Sequence, residues 1–300
     1  MRKIKLTVCA ILLASLFNSC KAQTQKDECN ECTKTETKLT FAFLTDVHLN
    51  VDNRGNGDAG LKKAITDLQS KGASFVLFGG DNVECDRLTD ETVANDLHAR
   101  FKSIVDDSKV EAHYTMGNHD RFYKFEGKED KLGHKTFEKY FGQTNVHFEK
   151  SGVHFIIISA LYPLEDGSYN VNNEQIEWLK SELAKIGKES PIIVSTHIPF
   201  LSLYYPVVEG NFKPLDMIHN TKEVFEVLND YNVKLILQGH QHIYEQIQER
   251  NRWFVTAGAV SAYWWAGEFL ETQEGYLLVK VDQNNEVTWE YIDYGWTKNM

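Results

Sequence analysis

The chain reads as an α/β protein built on two sheets, and three observations predict this. From Leu39 onward, short apolar runs of β-branched or aromatic character alternate with segments of helical period. No linker or internal repeat breaks that alternation. After residue 243 the pattern changes to strands joined by turns, which predicts a second, largely antiparallel sheet. The 300 residues suffice for one large domain or two small ones with a full core.

Taken in order, the predicted buried strands are 39–44, 75–78, 110–114, 155–158, 192–194 and 235–237. Helices are expected at 58–71, 90–107, 134–141, 173–187 and 219–230, outside the sheet. The fourth has Asn172 or Asn173 as its cap and Ile176, Leu179 and Leu183 on one face. The late strands are 243–249, 252–257, 275–282 and 286–293, with Asn-Arg and Gln-Asn-Asn at the turns.

Residues 1–20 hold Arg2, Lys3 and Lys5, no acid, an apolar run over 6–17 and then Asn18-Ser19-Cys20. That is an export signal, too short for a membrane span. A small residue before Cys20 resembles the bacterial lipoprotein signal, in which the cysteine is lipidated and becomes the amino terminus. Cleavage after Ala22 for ordinary secretion is the alternative. The expectation is an exported protein, membrane-anchored on the periplasmic side or cell surface, or soluble outside the cytoplasm. Residues 21–38 are polar and aperiodic and read as a flexible tether, which leaves 39–300 as the folded domain. Cys29 and Cys32 in the tether have C-x-x-C spacing but no second pair, so a disulfide or two idle thiols is expected rather than a zinc or redox site.

The formal charge is −11, and since the first twenty residues carry three positive charges the remainder carries −14. That argues against wrapping nucleic acid and weakens a nuclease reading. An anionic substrate would need local positive charge, which bound metal ions provide.

Chemistry gathers where strands end, the place where open α/β sheets build their sites. Asp46 and His48 follow the first strand, and alternation in an extended segment would point both to one side. Gly79-Gly80-Asp81-Asn82 ends the second, Gly117-Asn118-His119-Asp120 the third, Ser195-Thr196-His197 a fourth and Gly239-His240-Gln241-His242 a fifth. Mixed oxygen and imidazole ligands suit zinc, manganese or iron better than calcium or magnesium. They are too many for one ion; two ions about 3.5–4 Å apart would use them, a clamp suited to in-line displacement at phosphorus. His98, His113, His134, His147, His154 and His219 read as surface or satisfied structural residues.

These five motifs in this order resemble the calcineurin-like metallophosphoesterase superfamily, over residues 39 to about 293. The resemblance implies a four-layer α/β/β/α sandwich of two mixed sheets flanked by helices. It implies two divalent ions (manganese, iron or zinc), with Asp46, His48 and His242 on the first, Asn118, His197 and His240 on the second, and Asp81 bridging. His119 would be the non-ligand histidine that protonates or hydrogen-bonds the leaving alkoxide, and Asp120 the carboxylate that keeps that imidazole protonated and aimed.

Two departures bear on substrate. Glu84 stands where purple acid phosphatases carry an iron-binding tyrosine, which speaks against a purple ferric site. The Asp120 form of the third motif is shared by class III cyclic nucleotide phosphodiesterases and by some monoesterases. Arg121 is either a local phosphate contact or a structural arginine. The segments 122–133, 200–216 and 261–267 are expected to line the pocket, the last offering Tyr263, Trp264 and Trp265 as a stacking platform or a hydrophobic plug. The expected function is hydrolysis of a small organic or nucleotide-type phosphodiester, with phosphomonoester hydrolysis and non-catalytic binding of a phosphate ligand as the alternatives.

Overall fold

The computed structural model describes residues 35–165, 168–211 and 216–297. The expected signal with Cys20, most of the tether with Cys29 and Cys32, and Phe212 of one pocket segment lie outside the described residues. In chain order the main strands are β1 (Thr37–Leu44), β2 (Phe75–Phe78), β3 (Glu111–Tyr114), β4 (Val146–Lys150), β5 (Val153–Ile157), β6 (Ile192–Ser195), β7 (Val233–Gln238), β8 (Glu245–Glu249), β9 (Arg252–Thr256), β10 (Gly275–Asp282) and β11 (Val287–Asp293). The helices are α1 (Gly57–Ser70), α2 (Glu91–Asp107), α3 (Lys135–Phe141), α4 (Asn173–Ile186) and α5 (Thr221–Leu228). Asn172 caps α4 in a reciprocal capping box with Gln175. Among the described residues no helix is long and apolar enough to cross a membrane.

Two mixed sheets result, in the orders β11-β10-β1-β2-β3 and β8-β9-β7-β6-β5-β4. Period-two alternation sorts their side chains. Phe41, Phe43, Phe75 and Leu77 meet Phe155, Ile157, Ile193, Leu235 and Leu237 between the sheets. Phe41 stacks on Phe75 at 5.0 Å and meets Phe155 edge-on at 5.2 Å. Ala42, Leu44, Val76 and Phe78 face away, toward α1 and α2, while Ile156, Val194 and Ile236 face α4 and α5. Each such ring or branched chain taken from water contributes on the order of 2–3 kcal/mol, and this inter-sheet layer sets the spacing of the loops above it.

Three expectations are corrected. The late strands do not form a sheet of their own: β8 and β9 extend the second sheet, β9 parallel to β7, while β10 and β11 cross to the first. There β10 runs antiparallel to β1, from Thr37 opposite Asp282 to Phe43 opposite Leu277. The reason lies in the unbroken buried stretch of β10, which suits an interior position rather than a half-exposed antiparallel sheet. β3 lies at a sheet edge and is only half-buried. β4 escaped prediction because, as an edge strand alternating half-exposed polar residues with Phe148, it carries little apolar signal.

Candidate metal centre

The loops after β1 and β2 keep the parallel ladder going past the strands, with Asp46 N donating to Gly80 O at 2.9 Å and His48 N to Asp81 O at 2.9 Å. Asp46, His48, Asp81, His240 and His242 all have positive φ, between 50° and 75°. The expected extended segment is therefore replaced by left-handed residues that turn each side chain inward, a conformation that costs on the order of 1–3 kcal/mol per residue and collects at functional sites. Glycine is required beside them. A Cβ on Gly117 would lie 2.1 Å from Asp81 N, and one on Gly239 would lie 2.1 Å from Thr45 Oγ1.

Seven side chains converge from five strand ends. Asp46, His48 and His242 form one group and Asp81, His197 and His240 another, with His48, Asp81 and His119 as a third that overlaps both, the ligand atoms of each within 4.8 Å of one another. His242 Nε2 lies 3.4 Å from Asp46 Oδ1 and 3.0 Å from His48 Nε2. His197 Nε2 lies 3.1 Å from both Asp81 Oδ2 and Asn118 Oδ1. Asp81 Oδ2 is also 3.7 Å from His48 Nε2, so it stands between the groups.

This donor set fits metal ions. His197 Nδ1 donates to Gly79 O at 2.9 Å and His242 Nδ1 to Ala262 O at 2.5 Å, which leaves each Nε2 lone pair facing a carboxylate. Asp46 accepts from Thr45 Oγ1 at 2.6 Å and His240 N at 3.0 Å, and Asp81 from His119 N at 2.7 Å. Both carboxylates are buried, and among the described residues neither has a lysine or arginine in ion-pair contact. Burial pushes the Asp81 carboxyl up, but the His197 and His119 imidazoles outweigh it and hold it well below the usual range. Oxygen and imidazole ligands with no basic side chain to balance them are what borderline divalent metals take.

Residues 39–244 match the family model of the calcineurin-like phosphoesterases. The chain belongs to this family. Members hydrolyse phosphoric ester bonds, and the two mixed sheets flanked by helices agree with the expected fold. The phosphoesterase is 26% identical over 233 residues to purple acid phosphatase 23 of Arabidopsis thaliana, covering 69% of this chain and 47% of that protein. It is 25% identical over 220 residues to a "Probable cyclic nucleotide phosphodiesterase" of Fibrobacter succinogenes, covering 70% of this chain and 75% of that one. The chain spans less than half the length of the plant relatives it matches. In fold it is similar to a dimetal phosphatase from Danio rerio, with a TM-score of 0.62, 14% identity, and coverage of 87% and 100% of the two chains.

The structure departs from expectation at Asp120, and at Arg121 and Trp265 it takes the structural alternative over substrate contact. Asp120 does not orient His119. Its carboxylate turns back into the domain and accepts from Gly117 N at 2.8 Å, Val83 N at 3.0 Å and Asn82 Nδ2 at 3.1 Å, tying the second and third loops together. His119 Nδ1 instead lies 2.8 Å from Asp86 Oδ1. Burial lowers the His119 pKa, but Asp81 and Asp86 outweigh it and raise it to about 9. Arg121 is buried beside Gly133, fixed by the Phe122 N to Gly133 O bond, and lines neither cleft described below. Trp265 is also buried, packed on Trp296 at 5.3 Å and against Gly60, and is a core residue. Its neighbour Trp264 turns the other way and tilts over His242 at 4.3 Å.

Two clefts adjoin at His119, and the second of them reaches the candidate ligands. One of about 610 Å³ is lined by Asn50, Arg54, Glu84, His119, Tyr263 and Trp264 among others. The other, about 350 Å³, holds Asp81, His119, Tyr204, Tyr205, His240 and Trp264. His119 and Trp264 belong to both. Sequence reasoning missed Asp86, which lies in the same loop as Asp81 but has no motif to mark it. It also left Glu84 without a partner, whereas Glu84 Oε1 is 3.7 Å from His48 Nδ1, a buried nitrogen lacking a hydrogen bond.

Proposed function

We propose that this phosphoesterase hydrolyses small organic or nucleotide-type phosphodiesters at a two-metal centre, and that it works outside the cytoplasm, tethered through a lipidated Cys20. One observation carries the diester reading. The two clefts meet at His119 and Trp264, so a phosphorus atom at the centre has a separate place for each of its two organic arms. A monoester would use only one.

Asp46, His48 and His242 would hold one ion, Asn118, His197 and His240 the other, with Asp81 between them. When bound, the pair supplies charge stabilisation at phosphorus and acidifies water. Asp86 accepts the Nδ1 proton of His119, which aims Nε2 at the centre to give a proton to the departing oxygen. Trp264 and Tyr263 form the wall on which a planar or apolar arm rests. A pure binding protein would have no use for the His119–Asp86 pair.

The test is hydrolysis by metal-stripped protein reloaded with manganese, zinc or iron. Metal-dependent turnover should favour bis-p-nitrophenyl phosphate over p-nitrophenyl phosphate and vanish in Asp81→Ala. Preference for the monoester would make the protein a phosphomonoesterase, and two bound ions without turnover would make it a binding protein.

A further inference from the structure

A second group of metal-type ligands lies on the edge hairpin of the second sheet. β4 and β5 pair with Glu149 opposite His154 and His147 opposite Ile156. The connecting Ser151 and Gly152 both have positive φ, the two-residue turn that holds such a register. Phe148 and Phe155 stack 4.8 Å apart on the inner face, so alternation puts His147, Glu149 and His154 together on the outer one.

His147 Nε2 and His154 Nδ1 are 3.0 Å apart. Behind them, Glu182 of α4 places Oε2 at 3.0 Å from His147 Nδ1. A carboxylate accepts there, so Nδ1 carries the proton and Nε2 presents its lone pair to His154. Loss of the single proton between the rings leaves two imidazole lone pairs facing each other across 3.0 Å. Two nitrogens on tetrahedral metal bonds of about 2.0–2.1 Å stand about 3.3 Å apart, so the 3.0 Å pair need open by only a few tenths of an ångström to take an ion. Glu149, exposed and directly across the strands from His154, accepts the Gly152 N–H at 3.2 Å, and its carboxylate must swing from the turn toward the rings to add an oxygen ligand. The His147 and Glu182 side chains are 20% and 14% exposed, open enough for an ion to enter.

We propose that His147, His154 and Glu149 bind a divalent transition metal such as zinc, with Glu182 orienting His147. Two imidazoles and one carboxylate, backed by a carboxylate on the far ring nitrogen, are the donor set and support that such ions take. The site is separate from the centre above. His154 pairs with Ile192 at the start of β6, whereas His197 lies beyond its end, five residues on and roughly 16 Å away along the strand. An ion there fastens the edge hairpin to α4 and takes no part in hydrolysis.

Metal counting after equilibration with Zn²⁺ and removal of free ion tests this. The wild-type protein should retain one zinc per chain more than the double variant His147→Ala/His154→Ala, while both hydrolyse bis-p-nitrophenyl phosphate alike. Equal zinc counts would overturn the proposal. Should the double variant not fold, Glu182→Gln serves, read by Co²⁺ absorption. The extra cobalt should bind roughly 10–100-fold more weakly than in the wild type, and unchanged affinity would overturn the proposal.

Discussion

His119 Nδ1 and Asp86 Oδ1 stand 2.8 Å apart, joining two loops that leave different strands of the first sheet. Asp120, the sequence neighbour of His119, spends its carboxylate on Gly117 N, Val83 N and Asn82 Nδ2 instead. The two acids are therefore separable, Asp86 serving His119 in the proposed proton delivery and Asp120 serving loop architecture.

Asp86→Asn should lower kcat by roughly 100-fold on an alkyl phosphodiester, where the departing oxygen needs a proton, and far less on a p-nitrophenyl ester. Metal content and urea stability should stay close to wild type. Asp120→Ala should instead destabilise the fold by about 2–4 kcal/mol, because three buried donors lose their acceptor. Urea titration of the two variants side by side checks the contrast.

Gly117→Ala brings a methyl group to 2.1 Å from Asp81 N and Oδ1, closer than any carbon approaches an amide or carboxylate without displacing it. The loop must move, and Asp81 with it. Turnover should fall roughly 100-fold, the usual consequence of a 1 Å displacement at a reacting centre, and retained metal should drop below that of the wild type.

Trp264 and Trp265 should respond oppositely to truncation. Trp265→Ala empties a core position and should cost about 3–5 kcal/mol in urea unfolding. Trp264→Ala should leave stability nearly unchanged and raise KM for an aromatic diester roughly three- to ten-fold, the equivalent of about 0.5–1.5 kcal/mol of ring contact.

His98 gives the domain an acid limb. It is buried, with Nδ1 2.9 Å from Ala94 O, and burial lowers its pKa from 6.5 to about 4. Between those values the unfolded chain binds the proton and the folded one does not, so unfolding is favoured as pH falls. Its contribution, about 3 kcal/mol, is fully present above pH 6.5 and lost on descending to pH 4. Urea-derived stability across that window should fall less steeply in His98→Leu than in wild type.

Much of this molecule is legible along the chain. The apolar run Phe41, Ala42, Phe43 and Leu44 already implies a buried strand, and Asn172 or Asn173 ahead of Ile176, Leu179 and Leu183 already implies the start of α4. Asp46, His48, Asp81, Asn118, His197, His240 and His242 are visible as ligand types at strand ends, and the structure brings all seven together. Periodicity, capping and ligand chemistry are local properties, so the sequence alone determined the order of elements and the composition of the centre. Partnership is not local. Asp86 reaches His119 only because two loops stack, Trp264 and Trp265 part because their backbone φ angles are positive, and β10 joins β1 because a doubly buried strand needs a neighbour at each edge. Those choices were decided by packing of segments far apart in sequence, where a one-dimensional pattern holds no information about which face meets which.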